Sequence, residues 1–130
     1  MPITALYAAL LAVLLLVLSF RVIFVRMSEK VNLGDGGKPA LEQRIRAHGN
    51  FAEYTPLCLI LIGLAESLHA PSLALHGLGA ALLIGRILHG YGISRTPQFI
   101  PGRFIGMNLT FLVLLLGAGL NLWLAWPMVK

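Results

Sequence analysis

The sequence predicts an all-α integral membrane protein, a bundle of four transmembrane helices in a single domain over residues 1–130. Three observations carry this prediction. Hydrophobic residues fill 58% of the chain and charged residues only 12%, about half of the roughly 25% usual in a soluble domain. The apolar residues fall in continuous runs, without the alternation of a barrel strand. Short segments rich in glycine and proline separate the runs.

The first helix is expected over about 3–27, with Arg21 the single charge in its apolar part. At ~1.5 Å per residue it is long enough for a hydrocarbon core of ~30 Å. No Lys or Arg precedes its apolar part and no A-x-A-like site precedes Arg21, so a retained helix is expected rather than a cleaved signal. "LGDGGKP" (33–39) reads as a hinge, with Pro39 suited to the first turn of the next helix. That second helix is expected over about 39–69, polar as far as Glu53 and apolar from Tyr54 to Leu68. Ala70 and Pro71 make a tight turn. The third helix follows over about 71–93, and "TPQFIPG" (96–102) separates it from the fourth, over about 103–127.

Charge sets an expected orientation. Arg26, Lys30, Lys38, Arg44 and Arg46 lie in or beside the first connection, and Arg95 and Arg103 flank the third. The second connection has no Lys or Arg. The positive-inside rule therefore places connections one and three in the cytosol and both termini on the non-cytosolic side, with Trp123 and Trp126 at that interface. The net charge of +5 is explained by this bias and by anionic lipid. Nucleic acid is not expected as a partner, because the basic residues flank membrane spans. Cys58 is the single cysteine; it allows no intrachain disulfide and reads as a small packing residue.

The polar start of the second helix is a candidate site. Gln43, Arg46, Asn50, Glu53 and Leu57 recur at steps of three and four and share a helix face. Arg44 and His48 are offset from it. A solvated helix end accounts for the upper part of this face. Glu53 asks for more, because a carboxylate beside apolar turns is costly unless paired or wet. Pro56 also removes the usual donor for the Ala52 carbonyl. On the third helix Arg86 and His89 lie one turn apart, beside a small-residue stripe of Gly77, Ala81 and Gly85 that is expected to meet another helix. Arg103 opens the fourth helix. Snorkelling explains Arg86 alone, and an interhelical hydrogen bond explains His89 alone. Anchoring roles explain less well why Arg46, Asn50, Glu53, Arg86, His89 and Arg103 reach one membrane level together.

Several arginines with one carboxylate and one amide fit a small, mostly anionic molecule that also carries an ammonium group. Arginine grips carboxylates bidentately, and Glu53 is suited to an amine. A peptide-like anion such as glutathione has these features, without being singled out by them. An arginine beside its thiol favours the thiolate.

"RAHGNFAEYTP" meets the pattern R-A-H-x-N-x-x-E-x-x-P at Arg46, Ala47, His48, Asn50, Glu53 and Pro56, and "GRILHGYG" meets G-R-x-x-H at Gly85, Arg86 and His89. These elements resemble the second- and third-helix signatures of the MAPEG family, membrane-associated proteins in eicosanoid and glutathione metabolism. The resemblance implies a homotrimer with glutathione as bound co-substrate at the subunit interfaces, near the cytosolic side. It implies ligand contacts at Arg46, Asn50, Glu53, Arg86 and His89, and at Arg26, with Arg21 a rival for that helix-one role. Arg103 corresponds to a catalytic, thiolate-stabilising arginine. The implied activity is that of a membrane-bound glutathione transferase, with thiolate attacking a lipophilic electrophile or peroxide that arrives from lipid, and no metal. The short connections resemble bacterial members, hence a bacterial inner membrane. Gly49 stands where some eukaryotic members have a second arginine, and Ile93 where many members have a tyrosine.

Two other classes of function remain open on the sequence. One is a non-catalytic lipid- or partner-binding protein of the same fold, which the missing tyrosine at Ile93 favours. The other is a small proton-coupled carrier relaying through Glu53 and His89; against it, the polar residues gather at one side of the membrane.

Overall fold

The computed structural model describes residues 1–130 and contains helices but no strand. Helix α1 spans Pro2–Ser28, α2 Pro39–Ser67, α3 Ser72–Ser94 and α4 Ile100–Ala125, followed by one 3₁₀ turn at Trp126–Met128. The four expected helices are present, with shifted ends. Helix α4 starts at Ile100 rather than at 103, because Pro101 sits in its first turn, where a missing N–H leaves no bond unmade. Helix α2 stops at Ser67, and His69 adopts a φ of +60° in the reversal toward α3.

Helices α1, α3 and α4 are each long and apolar enough to cross a membrane. Helix α2 is different: it has 29 residues, about 43 Å at the α-helical rise. That exceeds a ~30 Å hydrocarbon core, so its charged first turns project beyond the apolar layer while Tyr54–Ser67 packs beside the other helices. It runs unbroken through Pro56.

The interior is a stack of Leu11, Phe51, Ile62, Leu75, Leu82 and Val113, with Cys58 wholly buried among them as a packing residue. The outer surface is equally apolar: Leu73, Leu115 and Trp123 are 85%, 71% and 69% exposed. In water such a surface would aggregate; in a bilayer it is solvated.

Glycines set the closest helix approach. A Cβ on Gly106 would fall 2.5 Å from the Gly85 carbonyl oxygen and 2.5 Å from the His89 backbone nitrogen, and one on Gly92 would fall 2.5 Å from the backbone nitrogen of Arg103. The backbones of α3 and α4 therefore touch, which brings His89 and Arg103 side by side. At Gly85 the small-residue stripe on α3 thus meets another helix, as expected. Gly85 is spent within the subunit, against α4, while Gly77 meets nothing within 4 Å. Gly106→Ala is expected to destabilise the protein by about 1–3 kcal/mol, since backbone must shift to admit the methyl group. Gly119→Ala, where a Cβ meets nothing within 4 Å, should hold or raise stability. Thermal unfolding in detergent measures both, and an unchanged Gly106→Ala would mean a looser α3–α4 contact.

At the end of the bundle away from the charged turns of α2, Glu66 fastens α2 to α1. Its carboxylate accepts hydrogen bonds from the backbone N–H groups of Ile3 (3.0 Å) and Thr4 (2.8 Å) and from the Thr4 hydroxyl (2.6 Å). These are orphan donors of a helix N-terminus, satisfied by a residue more than sixty positions away in the chain.

Candidate functional site

The 3.6-residue period puts Gln43, Arg46 and Asn50 on the face of α2 that looks toward the start of α4. The glycine contact sets α3 and α4 so that His89 and Arg103 face them. Between these elements lies a cleft of ≈ 290 Å³, bounded by Arg46 and Asn50 on α2, His89 on α3 and Arg103 on α4, with Glu42, Gln43 and Gln98 at its polar rim. Ile93 is the one hydrophobic residue lining it.

Arg86 lies behind Asn50 and is only 1% exposed. Its Nη1 donates to Asn50 Oδ1 at 2.8 Å and, more weakly, to the Asn50 carbonyl oxygen at 3.4 Å. Its Nη2 approaches Met107 Sδ at 3.8 Å, and its Nε–H has no partner. No carboxylate neutralises it: the ion pair found in the chain joins Lys38 and Glu29, at 3.2 Å. A buried cation without a counter-ion is costly. The site holds that charge behind a hydrogen-bonding amide which itself lines the cleft.

A second opening of ≈ 370 Å³ shares Asn50, His89 and Arg103 with the first and is otherwise lined by Ile100, Phe104 and Met107. Phe104 and Ile100 are 68% and 58% exposed. Three polar residues thus face a charged cleft on one side and an apolar recess open to the bundle surface on the other. Arg103 Nη1 donates to Gln98 Oε1 at 2.9 Å, and the Thr96 hydroxyl donates to Gln43 Oε1 at 2.9 Å. These bonds draw the α3–α4 connection over the rim of the cleft.

The structure brings Arg46, Asn50, Arg86, His89 and Arg103 together within one subunit. It does not bring Glu53 or Arg26 to them. Glu53 is exposed on α2 outside the cleft. Arg26 is committed to the first connection, where its Nη1 donates to the Gly34 carbonyl oxygen at 2.7 Å and to that of Val31 at 3.4 Å. Glu42, Gln43 and Gln98, and the apolar trio Ile100, Phe104 and Met107, were not among the residues picked out as ligand contacts. Glu42 had a signal, since it precedes Arg46 by one turn; Gln98 had none, because it sits in an aperiodic connection between two prolines.

These features define a multi-pass membrane protein with a cationic cleft at one end of a four-helix bundle. The chain belongs to the MAPEG family, whose model matches residues 4–123. Among curated relatives, the inner membrane protein YecN of Escherichia coli (strain K12) is 40% identical over 128 residues, covering 98% of this chain and 96% of the relative. The protein of the same name from Escherichia coli O6:H1 is similar to the same extent.

Proposed function

We propose that this protein binds glutathione in the cleft between α2, α3 and α4 and activates its thiolate for attack on a lipophilic electrophile or peroxide. Family membership supports this reading, and one observation carries it: Arg86 is buried without a carboxylate, behind Asn50 and beside a cleft that also holds Arg46 and Arg103. The missing counter-charge matches an anionic ligand.

In the mechanism, Arg46 and the Arg86–Asn50 pair bind and orient the peptide. The Arg103 guanidinium holds the sulfur as thiolate, and the thiol proton leaves to water at the open rim. His89, between the two openings, donates a hydrogen bond to the bound anion. The lipophilic substrate enters past Ile100, Phe104 and Met107. A sulfur lone pair forms the new bond to the electrophilic atom as the leaving group departs with its electron pair.

The assembly is a homotrimer in which the open side of the α2–α3–α4 cleft faces a neighbouring subunit, so that the ligand lies at the subunit interface. Glu53 supports this, since an exposed carboxylate on the outer face of α2, just before the apolar turns, is costly in lipid and less so under a neighbouring subunit. The relative's name and the apolar surface support residence in a bacterial inner membrane. Charge asymmetry supports both termini on the non-cytosolic side and the cleft facing the cytosol.

Ile93 favours a second reading, binding without turnover, because it puts an alkyl group in the cleft where many family members have a tyrosine. One experiment separates the two. Purified trimer, checked by native mass spectrometry, is titrated with glutathione while calorimetric heat and ultraviolet thiolate absorbance are followed. Binding with a thiolate signal at neutral pH is the expected result. Binding without that signal moves the protein to the second reading, and no binding overturns glutathione as the ligand and leaves a lipid- or partner-binding protein of the same fold.

A further inference from the structure

The outward face of α3 changes character with depth. Ile84, Ile87, Tyr91 and Arg95 recur at steps of three and four, and all four are exposed. Leu82, Gly85, Arg86 and His89 occupy the buried side of the same helix, so this stripe points away from the cleft. It is aliphatic in the apolar layer, aromatic above that, and cationic where the helix ends.

At its charged end the stripe meets a recess of ≈ 410 Å³ lined by Tyr91, Arg95, Pro97, Gln98 and Phe99. Arg95 Nη1 donates to the Tyr91 hydroxyl oxygen at 2.6 Å, and the guanidinium carbon lies 5.4 Å from the centroid of the Tyr91 ring. Tyr91 in turn packs edge-on against Phe99, with ring centroids 6.2 Å apart. These contacts fix an arginine that would otherwise snorkel freely. They leave most of its N–H donors unused, and no carboxylate neutralises it, since the ion pair of the chain joins Lys38 and Glu29. Gln98 adds a second donor: its Oε1 accepts from Arg103, which leaves its amide N–H groups for a ligand. A fixed cation with spare donors, at the membrane boundary and continuous with an apolar stripe, is complementary to a phosphodiester that carries acyl chains.

We infer that this recess binds the headgroup of one anionic phospholipid. Its phosphate sits on Arg95 and Gln98, its glycerol backbone rests against the Tyr91 and Phe99 rings, and one acyl chain runs along Ile87 and Ile84. A zwitterionic lipid fits less well, because no carboxylate lines the recess to take its ammonium group. The site is separate from the ligand cleft, with which it shares only Gln98.

The test uses the full-length protein in neutral detergent and three probes: phosphatidylglycerol, phosphatidylcholine with the same acyl chains, and glycerol 3-phosphate. Native mass spectrometry counts the lipid retained per subunit, and thermal unfolding gives the stabilisation. Phosphatidylglycerol is expected to be retained and to raise the melting temperature, with the other two probes doing neither. Arg95→Gln should weaken retention about tenfold, the scale of one charge-assisted hydrogen bond. Tyr91→Leu, which keeps every charge, should also weaken it, and Arg95→Lys should restore only part of the loss because the planar stacked fork is gone. Lys30→Gln removes the same charge from the first connection and should leave retention unchanged. An equal loss in Lys30→Gln would reduce the effect to net charge and overturn the site, as would full retention in Arg95→Gln. Phosphatidylcholine retained as well as phosphatidylglycerol overturns the anionic headgroup, and glycerol 3-phosphate giving the same melting shift overturns the lipid in favour of a soluble phosphate ester.

Discussion

Replacing Arg103 with alanine is expected to slow conjugation by about 10²–10³-fold, the scale for removing one charge-stabilising donor from a reacting site. Affinity for glutathione should fall much less, because Arg46 and the Arg86–Asn50 pair remain. In the unliganded protein Arg103 donates to Gln98 Oε1 at 2.9 Å. That amide is a neutral acceptor, which a bound thiolate displaces by its charge. Without the guanidinium the pKa of the bound thiol rises, and each unit corresponds to ~1.4 kcal/mol of lost thiolate stabilisation. The thiolate limb of the pH–rate profile then moves to higher pH, so the deficit is deepest at low pH and shrinks as pH rises. Spectroscopic titration of the bound thiol checks this directly. An unaltered bound-thiol pKa in Arg103→Ala would transfer the thiolate role to Arg46 or Arg86, the other arginines at the cleft.

Arg86→Met should separate stability from binding. The guanidinium is 1% exposed, lacks a carboxylate and leaves its Nε–H unbonded. Replacing such a buried charge with an apolar side chain of similar length is often neutral or stabilising. The unliganded variant should therefore melt no lower than wild type. Glutathione affinity should fall about 10²-fold, since one charge-assisted hydrogen-bonding group is gone and the Asn50 amide loses the donor that holds it. Melting temperature with and without glutathione gives both quantities. A variant that melts several degrees lower yet keeps its glutathione-induced shift would show that Arg86 is structural.

The fold was legible because its signal is redundant. Three of the apolar runs are long enough to cross a bilayer, and glycine or proline punctuates every gap. Arg46, Asn50, Arg86, His89 and Arg103 were legible for a related reason: helical periodicity and common membrane depth are both properties of spacing. Glu53 follows Asn50 by three residues, and whether it joins the cleft depends on the rotation of α2. That rotation is set by contacts such as Arg86 with Asn50, which no spacing encodes. Arg26 stands apart from these residues within the subunit for a different reason. Its partners are the carbonyls of Val31 and Gly34, and their position follows from the course of a connection in which Gly34 has a φ of +70°. The stripe on α3 was recognised as a contact surface, but Gly85 could not announce that its partner was Gly106. Spacing shows where backbones can approach, not which ones do.

The bonds from Ile3 and Thr4 to Glu66 make one end of the α1–α2 pair a pivot. At the other end, the chain between Ser28 and Pro39 is a connection with three glycines at positive φ, tied by the Arg26 bonds to the Val31 and Gly34 carbonyls and by the exposed Lys38–Glu29 ion pair, a weaker tie than the clasp. Any relative motion of these two helices is therefore a lever stroke, smallest at the clasp and largest at the cleft. Over the roughly 43 Å length of α2, a tilt of about 3° at Glu66 displaces the turn bearing Glu42 by about 2 Å. That is enough to make or break a hydrogen bond at the mouth while scarcely disturbing the pivot. Loosening the clasp, as Glu66→Gln would, should thus be felt first as altered geometry at the far end of the molecule.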